Sequence, residues 1–395
     1  MRCTKTALSI NCHIQTIILS IDLPRSENTA GIDLLSPFAP LFALVDFQNL
    51  YAWNKKPLSL NSKTFQDYTI LIPIFNSPTF FKNKEYMDGM RNRVTLCIGI
   101  TDRQMQTFAD DMEKEGYTVF RFSSHAQSPW HVFREVLDTA QHVLLREALP
   151  IVRSRYTIFL DGDSRPEGDL GRACATMEEQ GYGLASVMVR PSQTLSWMEK
   201  IQDVEYQLAM VTRRFRPWLT SGACIIGRTE ILRTVMEKHT TFFYGGDIEV
   251  GRLGKRFCTV CHLDLLVKTD VPSSFLGWFR QRTGWWAGSF RQGIVNFDKD
   301  LKKAPVWTLY VSLVVWGLLG LRWFDVSKYW QILPMLWGLY LCLNVLVGLR
   351  FKVDSYWLLA YPFYAMFQSL VLPPFGLFVY LRYAVKNHLL GRLKV

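Results

Sequence analysis

The tripeptide Asp161-Gly162-Asp163 closes the apolar run Tyr156-Thr157-Ile158-Phe159-Leu160 and is followed by Ser164-Arg165-Pro166. A β-branched and aromatic run ended by a turn reads as a buried strand, so both carboxylates stand at its C-terminal end. Acidic side chains one residue apart can turn together toward a hard divalent cation, which prefers oxygen ligands. Such a cation would neutralise a diphosphate. The competing account is a plain turn, since Asp and Gly are favoured there for backbone reasons.

Other acids stand at comparable places. The run Val94 to Ile100 ends at Thr101-Asp102, where Asp102 could serve a ligand or simply cap the helix that starts at Arg103. Phe242-Phe-Tyr-Gly-Gly-Asp247-Ile-Glu249 places an acid after two glycines, ahead of a helix; a glycine turn with a capping Asp is the bland alternative. Leu219-Thr-Ser221-Gly222-Ala-Cys-Ile-Ile-Gly227 leads small residues into a strand, which lets backbone approach a bound sugar closely.

The elements that must position these groups alternate. Strand patterns cover Tyr68 to Ile74, Val94 to Ile100, Tyr117 to Phe122 and Tyr156 to Leu160; helical spacing covers Arg103 to Glu115 and His131 to Arg146. This alternation predicts an α/β fold with a doubly wound, mostly parallel sheet. Parallel strands end at one edge, where open sheets of this kind bind their ligands, so Asp102, Asp161 and Asp163 are expected to converge on one cleft.

Trp197, Ile201, Val204, Leu208 and Val211 then form the stripe of an amphipathic helix. Pro272 to Arg291 mixes Phe275, Trp278, Phe279, Trp285, Trp286 and Phe290 with Arg280, Gln281, Arg282 and Arg291, a composition suited to a membrane–water interface. After the charged linker Asp298 to Lys303, apolar stretches run from about 305 to 321, 331 to 349 and 356 to 381. Each approaches the roughly 20 residues of a membrane span, and three spans are expected, the last interrupted by Pro373-Pro374.

The chain has 395 residues and a formal net charge of +11, but its basic residues are spread rather than gathered on one motif, which argues against a nucleic-acid partner. The eight cysteines are scattered with no disulfide framework, which suits a reducing, cytosolic setting.

Taken in order, Asp102, Asp161-Gly-Asp163, Ser221-Gly-Ala223, Gly246-Asp247-Ile-Glu249 and Gln281-Arg-Thr-Gly-Trp285, followed by apolar spans, resemble the family 2 membrane glycosyltransferases. That group includes cellulose, chitin and hyaluronan synthases and ceramide glucosyltransferases. The resemblance covers roughly residues 65 to 380, and Gln202-Asp-Val-Glu205-Tyr206 is similar to the first interface helix of the family.

By this resemblance the fold is of the GT-A type. Residues 1–64 form an N-terminal, interfacial segment; 65–271 a cytosolic catalytic domain; 272–303 an interfacial amphipathic region; and 304–395 a transmembrane domain. Asp102 and Asp161 would bind the nucleotide-sugar together with Gln281, Arg282 and Trp285. Asp163 and Asp161 would hold Mg²⁺ or Mn²⁺, Asp247 would act as general base, and Ser221, Gly222 and Trp285 would face the acceptor.

The implied protein is a multi-pass membrane enzyme, cytosolic in its catalytic part and in contact with membrane lipids. It would transfer a sugar from a UDP-sugar to a growing polysaccharide with inversion. A glycolipid-forming enzyme and a non-catalytic scaffold with the same fold are the alternatives; three spans are few for polymer export, which an oligomer or a partner would remedy. The chain departs from the family in having Gly245-Gly246-Asp247 for Thr-Glu-Asp and Gly284 for the Arg of Gln-x-x-Arg-Trp.

Overall fold

The computed structural model describes residues 48–75, 77–123, 141–239, 245–295 and 332–389. Among the described residues eight strands form one sheet: β1 (Tyr68–Ile74), β2 (Val94–Gly99), β3 (Thr118–Phe122), β4 (Tyr156–Leu160), β5 (Arg165–Pro166), β6 (Leu184–Pro191), β7 (Cys224–Arg228) and β8 (Val260–Thr269), in the order β3-β2-β1-β4-β7-β6-β8-β5. Helices follow as α1 (Arg103–Lys114), α2 (Gln141–Ala148), α3 (Leu170–Gln180), α4 (Trp197–Arg213), α5 (Thr229–Lys238), α6 (Gly246–Gly254), α7 (Phe275–Val295), α8 (Ile332–Phe351) and α9 (Tyr361–Leu389).

The first half of the sheet is as the alternation predicts, with β2 parallel to β1 and β3, and β1 parallel to β4. The sheet is mostly parallel, as expected, but its second half carries two reversed strands. Strand β7 runs antiparallel to both β4 and β6, and β5 runs antiparallel to β8. Its strands are buried on both faces: Ile70, Ile72, Leu96, Ile158, Ile226 and Leu263 pack toward one side, and Leu71, Phe159 and Ile225 toward the other. Burial on both faces is why these strands read as continuous apolar runs without alternation.

Reversal of β7 has a positional consequence. Leu160 at the end of β4 pairs with Cys224 at the start of β7, so the turn entering β7 lies beside the turn leaving β4. Strand β8 runs parallel to β6 and therefore also ends, at Thr269, on this edge.

Helix α4 begins with a capping box, in which the Ser196 hydroxyl accepts from the Glu199 amide and the Glu199 carboxylate accepts from the Ser196 amide. Its apolar stripe packs not on the sheet alone but on the C-terminal part: Ile201, Val204 and Leu208 share a core with Trp278 of α7 and with Tyr361, Tyr364 and Leu372 of α9. Trp197, the first residue of the expected stripe, is instead exposed.

The stretches 331 to 349 and 356 to 381 are largely helical, and α9 continues through Pro373 and Pro374. Among the described residues, however, no helix is long and apolar enough to cross a membrane. The stretch 305 to 321, the first ten residues of the helix expected over His131 to Arg146, and most of the segment 1–64 lie outside the described residues.

Candidate functional site

Asp161 follows β4 directly, and its amide donates to the Ala223 carbonyl at 3.4 Å, which ties the Asp-Gly-Asp turn to the Ser221–Ala223 turn. A Cβ placed on Gly222 would lie 3.1 Å from Asp161 Oδ2 and 3.3 Å from Gln141 Nε2. The Gly222 amide donates to Asp247 Oδ2 at 3.0 Å. Carboxylates from β4 and α6, 86 residues apart in sequence, thus meet at one glycine.

Asp247 reaches this point because α6 starts at a backbone kink. Gly245 adopts φ 73°, a left-handed conformation that favours glycine, and stands as the N-cap without a side-chain bond. Asp247 is therefore the second residue of the helix and not its cap, which leaves its carboxylate to face the β7 turn. Behind it, His239 and His142 stack with ring centroids 4.8 Å apart, and His239 Nε2 lies 2.8 Å from the Gly246 carbonyl oxygen. Gly246 itself is packed on the His142 ring, since a Cβ there would come within 2.6 Å of it.

Asp163, at the far end of the same turn, is bonded toward β8. It accepts from Thr269 Oγ1 at the end of β8 and from Ser164 Oγ, both at 3.3 Å, while Ser164 Oγ and Thr269 Oγ1 are 2.9 Å apart. The next residue, Asp270, pairs with Lys82 Nζ at 2.6 Å and accepts from Ser192 Oγ at 2.5 Å.

The electrostatics are those of carboxylates crowded in a dry place. Burial, then the charges of Asp163 and Asp247, push Asp161 up to about 8, with a hydrogen bond from Gln141 opposing. Burial and then Asp270 raise Asp163. Asp247 is raised by burial, against amide hydrogen bonds from Gly222 and Ile248 and the charge of Arg213. Burial in turn lowers the Arg213 guanidinium to about 10.

Hard oxygen donors carrying unbalanced negative charge suit Mg²⁺ or Mn²⁺. Among the described residues no group of three or more His, Cys, Asp or Glu is placed to hold a metal ion by itself. One or two carboxylates with phosphate oxygens and water completing the shell is the way Mg²⁺ is usually held, and Asp161 with Asp163 fits that pattern.

The remaining expected site residues are placed differently. Asp102 accepts from the Met105 amide at 2.9 Å and caps α1, so it is engaged with its own helix rather than with the acidic group. Arg282 is fully buried and its Nη2 pairs with Glu205 Oε2 at 2.6 Å, so one end of a guanidinium expected to face the diphosphate is taken up by a protein carboxylate. Trp285 lies against it, with Arg282 Cζ 3.8 Å from the ring centroid, and is itself partly exposed. Gln281 Oε1 is buried without a hydrogen-bond partner among the described residues.

Gln141, Arg213 and Asp270 adjoin the acidic group and carry no motif that would mark them in the sequence. Their only signal is position: one opens α2, one ends α4, and one follows β8 at the ligand edge.

No family model matches the chain, and no curated protein matches it significantly. Among solved structures it is similar to a mannosyltransferase, PcManGT from Pyrobaculum calidifontis, in complex with GDP-Man and Mn2+; the identity is 12%, the match covers 86% of this chain and 99% of that one, and the TM-score is 0.48.

Proposed function

We propose that this chain is a metal-dependent, inverting glycosyltransferase that transfers a sugar from a UDP-sugar. The observation that carries this reading is the meeting of Asp161 and Asp247 at Gly222, with Asp163 at the far end of the same turn. Asp163 and Asp161 would hold Mg²⁺ or Mn²⁺, which when bound offsets the charge that builds on a departing diphosphate.

In this reading Asp247 takes the proton of the acceptor hydroxyl. Its burial raises its basicity, and the Gly222 and Ile248 amides fix its orientation. Ser221 and Gly222 form the floor beside it, where the lack of a side chain at Gly222 leaves room for a sugar ring. A base on the side away from the leaving group gives inversion at the anomeric carbon. Gln281, Arg282 and Trp285 would border the diphosphate and the acceptor entrance, and Asp102 would reach the nucleoside from the end of β2.

We also place the chain on a membrane, its catalytic domain in the cytosol. Leu346 and Leu349 of α8 and Phe363, Phe375, Phe378 and Leu381 of α9 are exposed, as are Phe275 and Leu276 at the start of α7, and this much exposed apolar side chain on the last three helices supports lipid contact. A growing polysaccharide is the proposed acceptor. A membrane lipid is the second reading, favoured by the same exposed surface.

The test is to incubate the chain in membranes or detergent with Mn²⁺ and labelled UDP- or GDP-sugars, following released nucleoside diphosphate and label in polymer and in lipid extracts. Release with label in polymer is expected. Label in lipid alone would replace the acceptor, and no turnover with any donor would leave a scaffold.

A further inference from the structure

The guanidinium of Arg282 is held in an unusual way. Arginine carries five N–H donors. Nη2 directs its two toward Glu205 Oε2 at 2.6 Å and Gln202 Oε1 at 3.4 Å. The three on Nε and Nη1 are buried and have no hydrogen-bond partner among the described residues. Buried donors left unmet are costly, the more so on a charged group, so an arrangement that keeps three of them calls for an acceptor from outside.

Glu205 is itself tightly set. Its Oε2 also accepts from the Tyr364 hydroxyl at 2.6 Å, and its Oε1 accepts from Gln368 Nε2 at 3.3 Å. The Tyr364 oxygen in turn accepts from Trp278 Nε1 at 2.8 Å. Gln202, beside Glu205, donates to the Met198 carbonyl at 3.0 Å and the Pro272 carbonyl at 2.8 Å. Helices α4, α7 and α9 are joined through this one carboxylate.

Next to Glu205 in the chain is Tyr206. Its phenol is buried and pushed up to about 12, by burial first, with Arg282 and Arg213 opposing and Glu205 and Asp163 adding to the rise. Arg282 of the one group and Asp163 of the other thus act on the same phenol.

We propose that Glu205 is a positioning residue: it grips Arg282 by Nη2 and keeps Nε and Nη1 for the oxygens of a nucleoside diphosphate, with Tyr364 and Gln368 of the C-terminal helix setting Glu205. This rests on the donor reading given above and adds to it a role for α9. The site takes anionic phosphate oxygens, which a guanidinium binds in short, charge-assisted hydrogen bonds. In this reading the cation at 282, held from behind by Glu205, stands in for the arginine that the resemblance expects at Gly284.

Glu205→Gln would leave a buried guanidinium unpaired and is prone to misfold, so the informative variant is Tyr364→Phe, which keeps the ring. Binding of UDP and GDP with Mn²⁺ is measured by calorimetry, with uridine and guanosine as controls and thermal melting as a check on folding. For whichever diphosphate the wild type holds, Tyr364→Phe is expected to weaken binding about ten-fold, equivalent to one charged hydrogen bond, and to leave the nucleoside unaffected. Arg282→Lys should weaken the same ligand, and Tyr364→Phe added to it should change nothing more.

Full additivity of the two variants, equal loss of nucleoside and diphosphate, or wild-type binding by Tyr364→Phe would each overturn the positioning role while the donor reading stands. Failure of the wild type to bind either diphosphate would overturn both.

Discussion

Asp161 and Asp247 lie on either side of Gly222, whose amide serves Asp247 at 3.0 Å and whose missing side chain leaves the approach to Asp161 open. A methyl group there would stand 3.1 Å from Asp161 Oδ2, tighter than ordinary contact, and 3.3 Å from Gln141 Nε2. Gly222→Ala is therefore expected to displace the two carboxylates by a few tenths of an ångström while leaving the core intact. Sugar transfer should fall by about ten-fold or more, since small misplacements at a reacting centre are expensive, with little change in melting temperature. A variant that melts early would instead make Gly222 a folding residue.

Asp247→Asn keeps the shape and the acceptor oxygen for the Gly222 amide but cannot take a proton. Loss of a general base lowers turnover by about 10² to 10⁴-fold. Nucleoside diphosphate binding with Mn²⁺ should persist, because the metal-holding carboxylates are untouched. Unchanged turnover would remove Asp247 from the base role.

The lifted acidity of Asp161 has a pH signature. An acid that binds its proton more tightly folded than unfolded makes the fold less stable as pH rises, between the ordinary carboxylate value of about 3.9 and its own folded value of about 8. Metal-free protein is expected to lose stability over that window, and Asp161→Asn to lose less. Mn²⁺ must displace the proton, so its binding at neutral pH should release one and strengthen as pH rises. Calorimetry in two buffers of different ionisation enthalpy counts that proton; none released would mean that Asp161 is already ionised.

These groups were unequally legible in the sequence. Strands such as Tyr68–Ile74 and Tyr156–Leu160 could be read to the residue because burial on both faces writes them as unbroken apolar runs. The reversal of β7 could not, since Cys224–Arg228 is equally apolar in either direction and its orientation is fixed only by pairing with β4. Asp102 shows the limit of local reading: a strand end before a helix suits a ligand-binding acid and a cap equally, and it is the Met105 amide, bonded to Oδ1, that shows the cap. The pairing of Glu205 with Arg282, 77 residues on, is a tertiary contact that no spacing within either helix reveals.

The stacked His142 and His239 give the last test, opposite in sign to that of Asp161. Both imidazoles are held below their usual range, His142 by burial and then by His239, and His239 by burial against the pull of Glu249 and the Gly246 carbonyl. A base whose proton affinity is lowered by folding leaves stability untouched above its unfolded value, about 6.5, and lowers it as pH falls toward the folded value. Because His239 sits on the carbonyl of the residue before Asp247, protonation of the stack should loosen the start of α6 before the whole fold is lost. His142→Phe keeps a ring in the stack but leaves only one group to titrate, so its loss of melting temperature between pH 6.5 and 5 should be smaller than that of the wild type. Identical slopes for the two proteins would mean that the acid sensitivity arises elsewhere.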